Sequence, residues 1–301
     1  MSINKLEQMF ELLKERSKKR IVAAYANDSH TIEAVSMAID KGLVDGTLVG
    51  DKETILKVCN EMGVSPSKFV IVHEPNEIKA ARKAVELINA GEGDILMKGL
   101  VSTDNYMRAI LNKENGLLPP KGVLSHVAVM EIPTYHKLLI VSDVAVIPAP
   151  DLNQKAAIAN YLIEVAMMLG IKRPKVAALS ASEKVLPSMP SCIEASILSK
   201  MSERGQLKGG IVDGPLSLDV AIDAEVAKIK KVDGEVAGDA DCLLFPNIES
   251  GNVFYKTATK LCGAELGAIV CGTKAPAVLS SRGDSSQSKL YSIALAALVA
   301  K

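Results

Sequence analysis

No tryptophan occurs in the 301 residues, and aromatic residues make up only 3 %. Basic residues interleaved with aromatic rings, the pattern that stacks nucleic-acid bases, are absent. Lys+Arg and Asp+Glu both number 35, so the formal net charge is zero. No global field draws the chain to a polyanion or an anionic membrane, although a single cleft can still hold an anion. Cys59, Cys192, Cys242, Cys262 and Cys271 stand far apart, with no Cys-x-x-Cys pair and no neighbouring His to complete a zinc pattern. They read as free thiols, buried or reactive. No apolar run is long enough to span a bilayer. The opening MSINKLEQMFELLKERSKKR is amphipathic and charged, without the apolar centre or cleavage site of a signal peptide. The expected setting is the cytoplasm, with no membrane and no nucleic-acid partner.

The aliphatic residues are plentiful. Hydrophobic side chains reach 48 %, and with so few rings the core must be Val, Ile, Leu, Ala and Met. That composition suits a sheet covered on both faces by helices. The length exceeds what one core usually holds, so two domains are expected. Strand-like runs at 21–25, 46–49, 69–73 and 94–97 alternate with helix-patterned segments at 31–41, 51–62, 77–90 and 104–112. This rhythm predicts a largely parallel sheet flanked by helices. The rhythm breaks at LLPPKG, where adjacent prolines stop helix and strand alike. Apolar runs at 125–132 and 138–147 then flank PTYHK, a hairpin turn. A second α/β series follows, with helices at 153–169, 191–204, 217–229 and 252–261. Its strands are at 175–179, 210–212, 242–245 and 267–270, and a last strand at 277–280 leads through a Ser/Gly loop into a helix at 288–299.

In such sheets ligands lie beyond the carboxyl ends of strands, where helix N-termini offer free N–H groups. Four loops are more polar than a connection requires. In AVLSSRGDSSQSKLYSIAL, Ser281, Arg282 and Asp284 surround Gly283, and Arg282 has the planar fork that suits phosphate, or the loop is simply well capped. In ILMKGLVSTDNYMRAIL, Lys98 and Gly99 end a strand ahead of Ser102, Thr103 and Asp104. A phosphate could rest there, or Thr103 or Asp104 is only a cap and Lys98 is solvated. LLFPNIESGNVFYK sets Asn247, Ser250, Gly251, Asn252 and Lys256 between a strand and a helix, as a shaped ligand loop or as a structural turn. In VLSHVAVM, Ser125 and His126 open a strand, where they reach an acyl carbonyl or a phosphate unless they are held structurally. No Walker loop, no G-x-G-x-x-G after a strand, no G-x-S-x-G elbow and no acidic metal-site spacing occurs. The residues point to an α/β enzyme acting on an anionic substrate.

The segments LMKGLVSTDNYMRAIL, GVLSHVAVMEIP, SDVAVIPAPDLNQK, VAALSASEKVLPSMPS, GDADCLLFPNIESGNVFYK and GTKAPAVLSSRGDSSQSKLYSIAL together resemble the phosphate acetyltransferase and butyryltransferase family. The combination of FPNIESGNVFYK with SSRGDS is the specific part, and SHVAVMEIP and APDLNQK favour the butyryl branch. The resemblance covers essentially the whole chain. It implies a two-domain architecture like that of isocitrate and isopropylmalate dehydrogenases, with residues 1–138 and 272–301 as the first domain, 139–271 inserted as the second, and an active-site cleft between them. It also implies a homodimer or higher assembly, no metal, no tightly bound cofactor, and coenzyme A and phosphate as substrates. The implied reaction is acyl-CoA plus phosphate giving acyl phosphate plus CoA, by direct transfer in a ternary complex.

Carried over by position, Arg282 meets phosphate and transition-state charge, Ser281 the thiol or departing sulfur, and Ser125 the acyl or phosphate site. Asn252 and Lys256 match a GN-x-x-x-K pattern. The aspartate base of the acetyltransferases, seven residues after the first of these serines, is replaced here by Ser288, which leaves Asp284 as the substitute. Two other readings compete. An oxidoreductase on the related dehydrogenase scaffold needs metal-binding carboxylates and an adenine pocket, and neither is visible. A non-catalytic acyl-CoA sensor has no need of the site motifs present here.

Overall fold

Short aliphatic runs closed by polar caps set the elements of the computed structural model, which describes residues 2–279 and 285–301. In chain order these begin α1 (Met9–Lys14), β1 (Lys19–Ala24), α2 (Ser29–Asp40), β2 (Val44–Gly50), α3 (Lys52–Glu61), β3 (Phe69–His73), α4 (Glu77–Asn89), β4 (Ile95–Lys98) and α5 (Thr103–Ile110). Then come β5 (Ser125–Glu131), β6 (Leu139–Ser142), α6 (Leu152–Met168), β7 (Lys175–Leu179), α7 (Pro190–Glu203), β8 (Ile211–Leu216), α8 (Leu218–Ile222), α9 (Ala224–Lys230), β9 (Cys242–Leu244) and α10 (Ile248–Leu261). The last are β10 (Glu265–Cys271), β11 (Ala277–Val278) and α11 (Ser286–Val299). None of the described helices is long and apolar enough to cross a membrane.

The chain divides into two compact units. One comprises Glu7–Leu124 and Leu266–Lys301; the other comprises the chain up to Leu6 with Ser125–Glu265.

In the first unit the strands run in the order β3-β2-β1-β4-β11-β10. All neighbours are parallel except β10 and β11. β4 is buried at every position, as the Val/Ile/Leu-rich strands of a doubly covered parallel sheet require. Helix α11 is buried from Lys289 to Leu298 because SIALAALV carries no charge, and its Tyr291 ring stacks on Phe10 of α1 at 5.8 Å. Side-chain caps start the outer helices: Asp28 accepts from Thr31 N, and Asp51 from Thr54 N. Each such cap is worth about 1 kcal/mol.

The second unit has the order β5-β6-β9-β7-β8, parallel except for the β5–β6 hairpin. The turn of that hairpin is tied down by charge. Lys137 Nζ lies 2.8 Å from Asp239 Oδ1 and 2.6 Å from Asp241 Oδ1, and Lys175 Nζ lies 2.8 Å from Asp239 Oδ2. Burial pushes the Asp239 carboxyl up, but hydrogen bonds and charge from Lys137 and Lys175 outweigh it and bring it down to about 2. A carboxyl held below its unfolded value of about 3.9 contributes stability above that pH and loses it as pH falls toward 2. Lys137→Ala is therefore expected to cost about 1 kcal/mol or less at neutral pH, since Asp239 is 44 % exposed and solvent screens the pair. Urea unfolding at a series of pH values checks this: the gap to the parent closes between about pH 4 and pH 2.

Three elements depart from the sequence expectation. The apolar run at 138–147 forms a strand only as far as Ser142, because the Asp143 carboxylate captures the N–H groups of Ala145, Val146 and Ile147 and withdraws them from any ladder. The helix expected over 217–229 is broken at Asp223, whose side chain accepts from Glu225 N and Val226 N and starts α9 anew. Helix α10 begins at Ile248, not at 252, because Asn247 caps it. Ser250, Gly251 and Asn252 therefore lie on the helix and not in the loop before it.

Candidate active site

Within the second unit, the polar residues expected from the sequence gather at the carboxyl-terminal edge of the sheet. β5 runs antiparallel to β6, so its first residues, Ser125 and His126, stand beside the end of β6. α10 follows the carboxyl end of β9, the neighbour of β6. Ser125 is wholly buried, and its hydroxyl oxygen lies 2.8 Å from the Ser142 hydroxyl oxygen. It also donates to Asp143 Oδ2 at 3.1 Å. Asp143 is 2 % exposed. Its Oδ1 accepts from Ala145 N at 2.8 Å and Val146 N at 3.0 Å, and its Oδ2 from Ile147 N at 3.1 Å. A carboxylate at such a depth persists only when its lone pairs are met, and here four donors meet them. Ser125 is thus fixed in orientation through Ser142 and Asp143.

α10 is seated on this loop. A Cβ on Gly251 would fall 2.2 Å from Asp143 O and 3.1 Å from the Phe245 ring, so only glycine lets the helix approach so closely. Asn252 donates from Nδ2 to Val144 O at 3.0 Å. One turn on, the Tyr255 ring meets His126 edge-on at 6.3 Å, and Lys256 Nζ stands 5.2 Å from the Tyr255 ring centroid. The Asn247 side chain caps α10: Oδ1 accepts from Ser250 N at 3.0 Å and from the Ser250 hydroxyl at 2.8 Å. The cluster offers the exposed Lys256 ammonium and the exposed Asn252 carboxamide to an anion or carbonyl beside a rigid loop.

The remaining candidates belong to the first unit. Lys98 and Gly99 follow the carboxyl end of β4, whose register sets Lys98 opposite Ala24 at the end of β1. Lys98 is 4 % exposed and donates to Gly99 O at 3.3 Å. Gly99 packs directly on backbone, since a Cβ there would lie 2.6 Å from Tyr25 O. Tyr25 itself turns away from β1 with φ 55°. Ser102 caps α5 by accepting from Asn105 N at 3.3 Å, and Thr103 is the first helical residue. At this helix start Glu77 Oε1 accepts from Ser102 N at 2.8 Å and Asn105 Nδ2 at 2.9 Å. Ser281, Arg282 and Asp284 lie outside the described residues. Just beyond them, Ser285 caps α11 by accepting from Ser288 N at 3.1 Å, and its hydroxyl meets that of Ser288 at 3.2 Å.

Sequence reasoning passed over Ser142, Asp143, Glu77 and Tyr255. An acidic residue directly after a buried apolar run was the available signal for Asp143. Nothing local marks Glu77, which lies 25 residues from the N–H it receives.

The fold is that of an α/β enzyme, with polar side chains gathered at strand-to-helix loops, where such sheets bind their ligands. The chain belongs to the phosphate acetyl/butaryl transferase family, whose model matches residues 5–83 and 67–297. It is 48 % identical over 298 residues to the phosphate butyryltransferase of Clostridium acetobutylicum, covering 99 % of each chain. The crystal structure of a branched-chain phosphotransacylase from Enterococcus faecalis V583 superposes with a TM-score of 0.80 at 33 % identity, over 93 % of this chain and 99 % of that one. A 4-hydroxythreonine-4-phosphate dehydrogenase from Klebsiella pneumoniae shares the fold, with a TM-score of 0.56 at 14 % identity over 95 % of this chain and all of the other.

Proposed function

We propose that the protein transfers a short acyl group between coenzyme A and inorganic phosphate, acyl-CoA plus phosphate giving acyl phosphate plus CoA, with butyryl the favoured group. The observation that carries this reading is the family match through residues 5–83 and 67–297, which takes in every loop where a candidate residue stands. In the direction of thiolysis, Asp284 takes the proton of the CoA thiol and the thiolate attacks the acyl carbon. A carbon–sulfur bond forms and the carbonyl electrons become a tetrahedral oxyanion. That oxyanion collapses as the carbon–oxygen bond to phosphate breaks, and phosphate leaves with the electron pair. Arg282 offsets the charge of phosphate and oxyanion, and Ser281 hydrogen-bonds the sulfur. In the second unit Asn252 and Lys256 hold anionic and carbonyl groups of the substrates, with His126 against Tyr255 of the same helix; in the first, Lys98 holds an anionic group. Ser125 acts from its fixed orientation on Asp143. Gly99, Ser102 and Thr103 shape the backbone of the substrate site in the first unit, and Asn247 and Gly251 that in the second. Such substrates place the protein in the cytoplasm, with small molecules as its partners and no resident cofactor.

The test is CoA release from acetyl-, propionyl-, butyryl- and isobutyryl-CoA, with and without phosphate. Release is expected to require phosphate and to yield acyl phosphate. A methylene in an apolar pocket is worth about 1–3 kcal/mol, so kcat/KM is expected to favour butyryl over propionyl by roughly tenfold or more. In the same assay run backwards, Asp284→Asn loses thiolysis of butyryl phosphate while CoA binding persists. CoA binding without turnover would make the protein a sensor and overturn the reading.

A further inference from the structure

Among the described residues three lysines are almost fully buried: Lys98, Lys155 and Lys289. Lys98 Nζ donates to Gly99 O at 3.3 Å, and Lys155 on α6 pairs with Glu194 on α7. Lys289 is 4 % exposed, and among the described residues its ammonium meets no carboxylate, carbonyl, hydroxyl or ring. A buried charge without a partner costs free energy, which a fold accepts only where something else meets the charge. The carboxylate on the facing helix does not meet it. Glu33 of α2 accepts instead from the hydroxyl of Ser286, three residues before Lys289.

Lys289 belongs to the first turn of α11, a helix of 14 residues with no acidic side chain in that turn. The first N–H groups of a helix have no acceptor within it and favour an anion. Ser285 Oγ takes the N–H of Ser288. A cation at this end is opposed by the helix dipole. Lys289 is therefore unfavourable both for its burial and for its place. Helical side chains lean toward the N-terminus of their helix, which carries the Lys289 ammonium back over the first turn. An anion bound there answers the ammonium and the positive end of the helix together. β11 runs parallel to β4, so α11 starts at the same edge of the sheet as the Lys98–Gly99 turn. The loop that leads into α11 carries Ser281, Arg282 and Asp284.

We propose that Lys289 is a substrate-binding residue whose ammonium holds a phosphate group over the first turn of α11. The reacting phosphate and the phosphate esters of CoA share that chemistry. That a substrate brings the phosphate rests on the acyl transfer proposed above; the anion site itself rests on the burial and place of Lys289.

Calorimetric titration of the full chain with inorganic phosphate and, separately, with CoA is the test, beside the variants Lys289→Met and Lys289→Gln. Each variant removes the charge and keeps an unbranched side chain. In both, the dissociation constant of one ligand is expected to rise by about 10–100-fold, the loss of one charged hydrogen bond. A rise for phosphate assigns the seat to the reacting group, and a rise for CoA assigns it to the esters. Without ligand, Lys289→Met is expected to melt at or above the parent, because an unpaired buried charge has gone. Ligand at 100 times its dissociation constant raises the melting temperature of the parent by on the order of 5 °C, and that of the Met variant by much less. Unchanged dissociation constants for both ligands overturn the proposal. A Met variant that melts well below the parent without ligand does so as well, since Lys289 would then serve the fold as a distant partner of Glu33. Binding is read here without turnover. A chain that binds phosphate or CoA through Lys289 yet transfers no acyl group sinks the reaction and leaves the site standing.

Discussion

Asp143→Ala is expected to destabilise the unit built on Ser125–Glu265 by about 2–4 kcal/mol, more than any other single truncation at the site. The carboxylate is 2 % exposed and accepts from three backbone N–H groups and the Ser125 hydroxyl. Each group left without a partner costs about 1–3 kcal/mol when buried. The full sum is not reached, because Ala145 is exposed and Val146 and Ile147 are half-buried, so water can replace part of what is lost. Asp143→Asn keeps one oxygen as acceptor and is expected to lose about half as much. Thermal unfolding checks the pair: the alanine variant melts about 5–15 °C below the parent, with the asparagine variant between them. An alanine variant melting with the parent would mean that the loop 143–147 holds its shape without the carboxylate.

The sequence made the βα rhythm legible because apolar runs and capped helices report on local burial. The hairpin around PTYHK was legible for the same reason, since two aliphatic runs five residues apart have little other way to bury themselves. The failures share a different cause. Apolar pattern extends a strand through 147, but the strand stops where one side chain outcompetes the ladder for N–H groups. Asp223 breaks a helix by the same competition. At α5, where the sequence left open a phosphate seat or a plain cap, Glu77 from another helix accepts from Ser102 N, a contact that no local pattern marks. Family resemblance reached further than periodicity because it rests on whole loops such as FPNIESGNVFYK. It did not reveal that Gly251 serves close packing on Asp143 O or that Asn247 is a cap.

Arg282→Ala is expected to lower kcat/KM for phosphate by on the order of 10³-fold in the proposed reaction. The reacting phosphate carries up to two negative charges, and a tetrahedral oxyanion forms beside it. A guanidinium can bond two oxygens at once through its planar fork, and it stays charged throughout. Losing one preorganised donor to an oxyanion costs about 10²–10³-fold, and loss of the charge adds to that. Arg282→Lys keeps the charge without the fork, so a loss of about 10–100-fold is expected. The KM for acyl-CoA is expected to move little, since the proposed reading gives the phosphate to Arg282 and the sulfur to Ser281. Initial rates with phosphate and acyl-CoA varied separately distinguish these effects. If both variants stay within about fivefold of the parent, less than 1 kcal/mol of barrier, the phosphate charge is met elsewhere. The ammonium groups of Lys98 and Lys256 would then be the next side chains to remove.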